Sequence, residues 1–283
     1  FFLLQEHLIY CSLQDPGSET PEGYSFKSSV SVWTHAGRLQ LDAKKYMEIM
    51  ESFKPDIYEI FCDGDTNLES SKKRCSKSVD HTEDFLDECL RCHNKSKVLQ
   101  SNAALFGVIE GGYLIRERLR SAELTAKQKD PAISGFTIDG LHNNGRTPLD
   151  GKMDFEKAME IVKETLKVLP DDKPRTVHGA WTPQQLLRLA ESGVDIFDSS
   201  LAYILTEAFS AMTFRWDIDT GLDVDQSKSG HDYFISLKDE RFAEDFSPIT
   251  DSCSCLTCRK HTRAYIHHLI NAKELLSSTL LML

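Results

Sequence analysis

Short runs rich in β-branched and aromatic residues alternate along the chain with longer stretches whose apolar positions recur at three and four. The short runs fall at 56–62, 104–110, 135–139, 175–179 and 194–198 and predict strands. Between them Phe155, Ala158, Met159, Val162, Leu166 and Leu169 share one helical face, and Leu114, Ile115, Leu119 and Ala122 do nearly the same. Phe85, Leu86, Cys89 and Leu90 form the apolar face of another helix starting near Thr82. Thr182-Pro183 supplies an N-cap and a first-turn proline, and Gly193 stands where that helix should close. Repeated βα units predict a mostly parallel sheet covered by helices, and periodicity alone does not choose between an open sheet and a barrel.

From Met212 to Asp239 the pattern changes. Thr213-Phe214-Arg215-Trp216 and Tyr233-Phe234-Ile235-Ser236-Leu237 read as extended segments of an antiparallel ribbon, joined by a polar connector over 217–230. The polar stretches 67–80 and 143–153 read as surface loops. The expected organisation is a barrel-like part over 1–211, an insertion over 212–250 and a zinc-binding subdomain with a C-terminal helix over 251–283.

Hydrophobic residues make up 40% of the chain and charged residues 27%, the balance of a globular protein. The net charge of −11 excludes nucleic-acid binding through a global positive field, so such a contact would need a local basic patch or a basic partner. Phe1-Phe2-Leu3-Leu4 is interrupted at once by Gln5-Glu6-His7, which argues against a signal peptide, and no run approaches the roughly 18 apolar residues of a membrane span. The start at Phe1 and the uncapped run 275–283 read as a piece of a longer protein.

The eight cysteines include a tight triplet, Cys253-Ser254-Cys255-Leu256-Thr257-Cys258, which points to metal binding in a reducing, intracellular setting. Three thiolates so spaced can occupy three corners of a tetrahedral zinc site of structural type. Cys89-x2-Cys92-His93 matches a haem-attachment pattern superficially, but its helical face reads as core. Gly111-Gly112 sits at a strand-to-helix turn as a phosphate loop might, yet Glu110 beside it would repel an anion. Lys72-Lys73-Arg74 reads as a solvated loop.

Leu169-Pro170-Asp171-Asp172-Lys173-Pro174-Arg175, Gly193-Val194-Asp195-Ile196-Phe197-Asp198, the cysteine triplet and Thr262-Arg263-Ala264-Tyr265-Ile266-His267-His268-Leu269 follow one another in an order and spacing that resemble the C-terminal half of tRNA-guanine transglycosylases. Gly107-Val108-Ile109-Glu110-Gly111-Gly112 is similar to that family's Gly-x-x-Gln-Gly-Gly strand end. The resemblance implies an α/β fold, a TIM-like (β/α)8 barrel, partial in this chain, with a zinc-binding subdomain. It also implies a covalent guanine exchange with one aspartate as nucleophile and another as general acid/base. Asp198 occupies the nucleophile position.

The surrounding motifs depart from the family. Ala202-Tyr203-Ile204-Leu205-Thr206-Glu207 stands where a Pro-Thr-Arg turn and an Arg-containing stretch are expected. Cys62 in Phe61-Cys62-Asp63-Gly64 replaces the base-recognising carboxylate, Glu110 replaces a glutamine, and Thr137-Ile138-Asp139-Gly140 replaces a small-residue floor. No Asp-Ser-Gly-Gly segment occurs in the 283 residues.

This pattern resembles the non-catalytic subunit that pairs with the catalytic subunit of eukaryotic queuine tRNA-ribosyltransferase, which exchanges guanine for queuine at the wobble position of tRNAs with GUN anticodons. The alternative is an active transglycosylase with Asp198 as nucleophile. The resemblance further implies one structural Zn2+ per subunit, held by Cys253, Cys255, Cys258 and a histidine expected just beyond Leu283, with His261, His267 and His268 the nearby substitutes. Heterodimerisation is expected through Tyr265, Ile266, Leu269, Leu275 and Leu276, with homodimers formed by the chain alone. tRNA is expected to be reached through the complex, its backbone contacted by residues such as Lys260 and Arg263. The expected location is the cytoplasm, with peripheral association with the mitochondrial outer membrane.

Overall fold

The structure, a computed structural model, describes residues 7–34, 36–128, 133–146, 149–150, 153–213, 215–217, 221–223, 233–251 and 253–283. It divides into two compact units, Phe1–Asp198 and Ser199–Leu283. Among the described residues no helix is long and apolar enough to cross a membrane.

The first unit opens with β1 (Tyr10–Cys11), a hairpin of β2 (Val30–Thr34) and β3 (Gly37–Leu41), and α1 (Ala43–Phe53). It continues through β4 (Ile57–Glu59), α2 (Lys72–His93), α3 (Lys97–Asn102), β5 (Ala104–Ile109) and α4 (Ile115–Ala126). β6 (Ile133–Ile138), α5 (Phe155–Leu166), β7 (Arg175–Thr176) and α6 (Pro183–Glu191) complete it. Strands β1, β4, β5, β6 and β7 form a five-stranded parallel sheet in that order, and Ile196 adds a parallel bridge beside Thr176. Strand order never reverses, and the helices pack in succession, α1 on α2, α2 on α4, α4 on α5 and α5 on α6. An open doubly wound sheet would show a reversal with helices on both faces.

Four of the five predicted strand runs become sheet strands, and the fifth, 194–198, contributes only the bridge at Ile196. The Thr182 cap is a full capping box, with Thr182 Oγ1 accepting from Gln185 N and Gln185 Oε1 accepting from Thr182 N. The α2 reading needs correction at its start: the helix begins at Lys72, well before Thr82, under an N-cap at Ser71. Its first turns carry too few apolar residues to read as a core helix. They are held instead by Arg74, which bonds through both terminal nitrogens to the buried Asp63 carboxylate, and by His81, whose Nδ1 lies 2.8 Å from the same group. Cys89 is fully buried and its sulfur accepts from Phe61 N, as the core reading expected. Asn143 sits in a predicted surface loop, but it is buried and donates to the His178 carbonyl.

The second unit contains α7 (Ser200–Glu207), β8 (Ser210–Met212), the antiparallel pair β9 (Arg215–Asp217) and β10 (Gly221–Asp223), and β11 (Phe234–Ser236). After a single 3-10 turn at Glu240–Phe242 come α8 (Leu256–Lys260), α9 (Arg263–Asn271) and α10 (Leu276–Met282). The expected ribbon is present with a different pairing: β11 runs antiparallel to β8, not to the segment around Arg215. Phe214 and most of the expected connector lie outside the described residues. Leu237, Phe242, Ile249, Ile266 and Leu269 lie at the centre of this unit's own core. Ile266 and Leu269 therefore leave the expected subunit-facing set, while Leu275 at 88% exposure and Leu276 at 41% remain in it.

Within the parallel sheet Phe106 and Gly135 are register partners, and a Cβ on Gly135 would lie 2.5 Å from the Phe106 ring. Gly135→Ala should cost about 1–3 kcal/mol through overpacking. Adding Phe106→Leu should recover part of that loss in thermal unfolding. A double variant no more stable than Gly135→Ala alone would show that the ring is not what restricts this position.

Candidate functional site at the strand ends

Tyr10, Glu59, Phe106 and Thr137 come from β1, β4, β5 and β6 and meet on one face of the sheet. Glu59 is 3% exposed, in a run otherwise suited to a buried strand. One of its oxygens, Oε1, accepts from Tyr10 OH at 2.7 Å, from Thr137 Oγ1 at 2.8 Å and from His178 Nε2 at 2.6 Å. The opposite ring nitrogen, His178 Nδ1, lies 3.2 Å from Asp198 Oδ2, which also accepts from Gly179 N at 2.8 Å. With a carboxylate at each nitrogen the ring is held as an imidazolium. Burial opposes that charge, but the Glu59 charge and the bonds to Asp198 and Glu59 outweigh it and lift the His178 pKa to about 10. Burial likewise opposes the Glu59 carboxylate, and His178 together with the two hydroxyls holds it below its ordinary value.

A second cluster lies where β4, β5 and β6 end. Cys62, Glu110 and Asp139 each offer a ligand atom, and these atoms all lie within 4.8 Å of one another. Cys62 and Glu110 are buried, whereas Asp139 reaches the wall of a cavity of about 250 Å3. Tyr24, Gly64, Thr66, Arg74 and Asn144 line the same cavity. Burial and the Asp139 charge push the Glu110 pKa well above the carboxylate range, and burial beside both carboxylates pushes the Cys62 thiol up. The loop carrying Tyr24 is fastened by Asp65, whose carboxylate accepts from Gly23 N and Ser25 N. Gly111 and Gly112 both take positive φ, at 123° and 56°, and Arg118 Nε bonds the Gly112 carbonyl at 2.7 Å. This turn is thus filled from within by a guanidinium.

In the second unit the sulfurs of Cys253, Cys255 and Cys258 lie within 4.8 Å of one another, and all three cysteines are free. Cys255 caps α8 and its sulfur accepts from Cys258 N at 3.4 Å, so the loop turns the thiols toward one point. This donor set suits a thiophilic ion and could hold a metal. His267 is unsuited to complete it: Nδ1 lies 2.8 Å from the Leu237 carbonyl and Nε2 lies 2.8 Å from Asn271 Nδ2. Arg263 also has a local role, pairing with Asp245 at 3.0 Å and donating to the Ile249 carbonyl at 2.9 Å. Neither contact is visible in the helical spacing of that segment.

The sequence profile of the queuine tRNA-ribosyltransferase family matches residues 12–283. The chain belongs to this family. A protein of Ixodes scapularis named "Queuine tRNA-ribosyltransferase accessory subunit 2" is 39% identical over 285 residues, covering 100% of this chain and 71% of the relative. A Homo sapiens protein of the same name is 38% identical over 309 residues, covering 100% of this chain and 72% of the relative. A Drosophila yakuba protein of that name is 40% identical over 279 residues, covering 99% of this chain and 63% of the relative.

Within the queuine tRNA-ribosyltransferase family frame, the structure gathers Cys62, Glu110 and Asp139 at one place, as their positions at three strand ends suggested. It sets Asp198 against His178, a residue that sequence reasoning passed over although His178 lies inside the predicted strand run 175–179, just past the observed β7. Glu59 was missed as well, and the only signal for it was a charge inside an apolar run.

The His178 pKa rises from an ordinary 6.5 to about 10 in the fold, so its contribution to stability is complete below pH 6.5 and disappears as pH climbs toward 10. Glu59 acts in the opposite sense, contributing above its unfolded value and losing that contribution as pH falls. Thermal unfolding should therefore show a larger loss between pH 6.5 and about 10 in the native chain than in His178→Gln. Equal losses would mean that the imidazolium is not held by Glu59 and Asp198.

Proposed function

We propose that this chain is the accessory subunit of a queuine tRNA-ribosyltransferase and serves tRNA queuosine modification as the non-catalytic partner of a catalytic subunit. The observation that carries the reading is the state of Asp198. Its Oδ2 accepts from Gly179 N and faces the His178 imidazolium, so that oxygen is held by two partners of the chain's own, which supports a structural role for the aspartate. Recognition is altered in the same direction, since Cys62 and Glu110 are buried in the positions that the resemblance assigns to base-reading groups. The rival, an active transglycosylase using Asp198, is not favoured by relatives whose name is that of an accessory subunit. The parallel five-stranded sheet, singly wound in chain order, supports reading the first unit as part of a TIM-like (β/α)8 barrel.

Labelled guanine or queuine entering tRNA tests this. The isolated chain should give no turnover, the chain with its catalytic partner should, and Asp198→Asn in this chain should leave the activity of the pair unchanged. Turnover by the isolated chain that vanishes with Asp198→Ala would overturn the proposal.

The cysteine triplet, in this reading, holds one structural zinc whose fourth ligand is a histidine beyond Leu283. A chain extended past Leu283 should then keep zinc against a competing chelator better than the 283-residue chain, because completing a tetrahedral site adds folding free energy. Equal retention would remove the downstream histidine from the site. Heterodimerisation would use the exposed Leu275 and Leu276, with Leu269 reserved for the core. Lys260, in the last turn of α8, is the better candidate for a tRNA phosphate now that Arg263 has its local partners. The proposed setting is the cytoplasm, with peripheral attachment to the mitochondrial outer membrane, for which release by carbonate would be the test.

A further inference from the structure

Glu110 and Asp139 directly follow β5 and β6, and Cys62 follows the end of β4 by a short extension, so all three come together beyond the ends of neighbouring parallel strands. Glu110 is completely buried, and neither of its oxygens accepts a hydrogen bond from any described residue. A buried carboxylate left in that condition is expensive whichever way it is ionised. The cations around it make no hydrogen bond to it: Arg118 donates through Nη1 to the Ile109 carbonyl at 2.6 Å and through Nε to the Gly112 carbonyl at 2.7 Å while its Nη2 is left without a partner among the described residues, and Arg74 bonds Asp63. Something other than these side chains has to meet the Glu110 oxygens.

A proton shared with Asp139 would satisfy one Glu110 oxygen and leave the other with nothing, while the Cys62 thiol already donates to Asp139 Oδ2 at 3.9 Å. A divalent cation would satisfy all three groups together, because their ligand atoms already lie within 4.8 Å of one another. The backbone is shaped to hold the carboxylate there: Gly140 takes φ +68°, and a Cβ on it would fall 2.2 Å from Glu110 Oε2. One thiolate with two carboxylates is a borderline-soft donor set, suited to zinc and not to magnesium or calcium, which select oxygen alone. Three protein ligands with a remaining direction open to solvent is also how accessible zinc sites are built, and here Asp139 borders the cavity of about 250 Å3.

We infer that Cys62, Glu110 and Asp139 form a second divalent-cation site, of the zinc class, additional to the cysteine triplet, with the cavity beside Tyr24 and Thr66 as the approach to the ion.

The test is metal stoichiometry on the full chain after chelator treatment, with Zn2+ alone as probe and Co2+ as its spectroscopic substitute. In a chain with Cys253→Ser, Cys255→Ser and Cys258→Ser, one equivalent of Zn2+ should still bind, and Co2+ should give a thiolate charge-transfer band. Adding Cys62→Ser should abolish that band, and adding Glu110→Gln, close to isosteric, should abolish retention of the equivalent. Circular dichroism of Glu110→Gln matching the parent would separate loss of a ligand from loss of the fold. If Glu110→Gln unfolds, the native chain still decides the matter: a carboxylic-acid band in its infrared spectrum at neutral pH, unchanged by added Zn2+, would overturn the site. No binding in the triple-serine chain, or binding unaffected by Cys62→Ser and Glu110→Gln, would overturn it as well.

Discussion

A single buried carboxylate organises the sheet face on which the rest of the first unit depends. Glu59 accepts from Tyr10 of β1, Thr137 of β6 and His178 just past β7, so one oxygen ties together strands from one edge of the sheet to the other. Burying that charge costs more than an apolar residue would, and its use lies in registry more than in net stability. Each donor reaches Oε1 only if its strand stands at the right height, and the imidazolium of His178 supplies the opposite charge. The same imidazolium then turns its other nitrogen to Asp198. The scaffold's internal ion pair and Asp198 are therefore a single electrostatic object.

That coupling governs how the aspartate at the position the resemblance gives to the nucleophile is held. Attack on a ribose carbon needs a carboxylate with an unencumbered lone pair and a partner that hands protons on. Asp198 Oδ2 is engaged by Gly179 N and by a histidine whose raised pKa keeps its proton at neutral pH. A histidine so held is a fixed cation and a poor acid/base group, since a useful one titrates near the working pH.

The sheet strands were legible because their apolar and β-branched runs are short, separate and bounded by helical periodicity, as in 104–110 ahead of α4. The start of α2 was not, because Lys72, Lys73 and Arg74 carry no apolar signal and the helix there is secured by Arg74 and His81 on Asp63, a contact that exists only in three dimensions. The same limit hid Glu59 and His178, whose roles depend on the register of strands far apart in sequence. Leu269 and Leu275 look alike in a helical pattern, yet one is 6% exposed and the other 88%, since periodicity marks an apolar face without saying whether the chain's own core or another molecule covers it. Cys62, Glu110 and Asp139 were readable individually as departures at strand ends, and the parallel sheet makes them neighbours.

Those departures also act together on hydrogen bonding. The resemblance sets a glutamine, both donor and acceptor, at position 110 and a carboxylate at position 62, a pair suited to the mixed edge of a purine. With Glu110 and Cys62 in place, and Asp139 brought beside them, the wall becomes almost purely electron-donating once ionised. A heterocycle edge that must both give and take hydrogen bonds leaves such a wall unsatisfied, whereas a cation or a proton does not. The chain retains a lined cavity at its strand ends, and because burial pushes both the Glu110 carboxyl and the Cys62 thiol up, only a bound cation would bring the groups behind it to that purely electron-donating state.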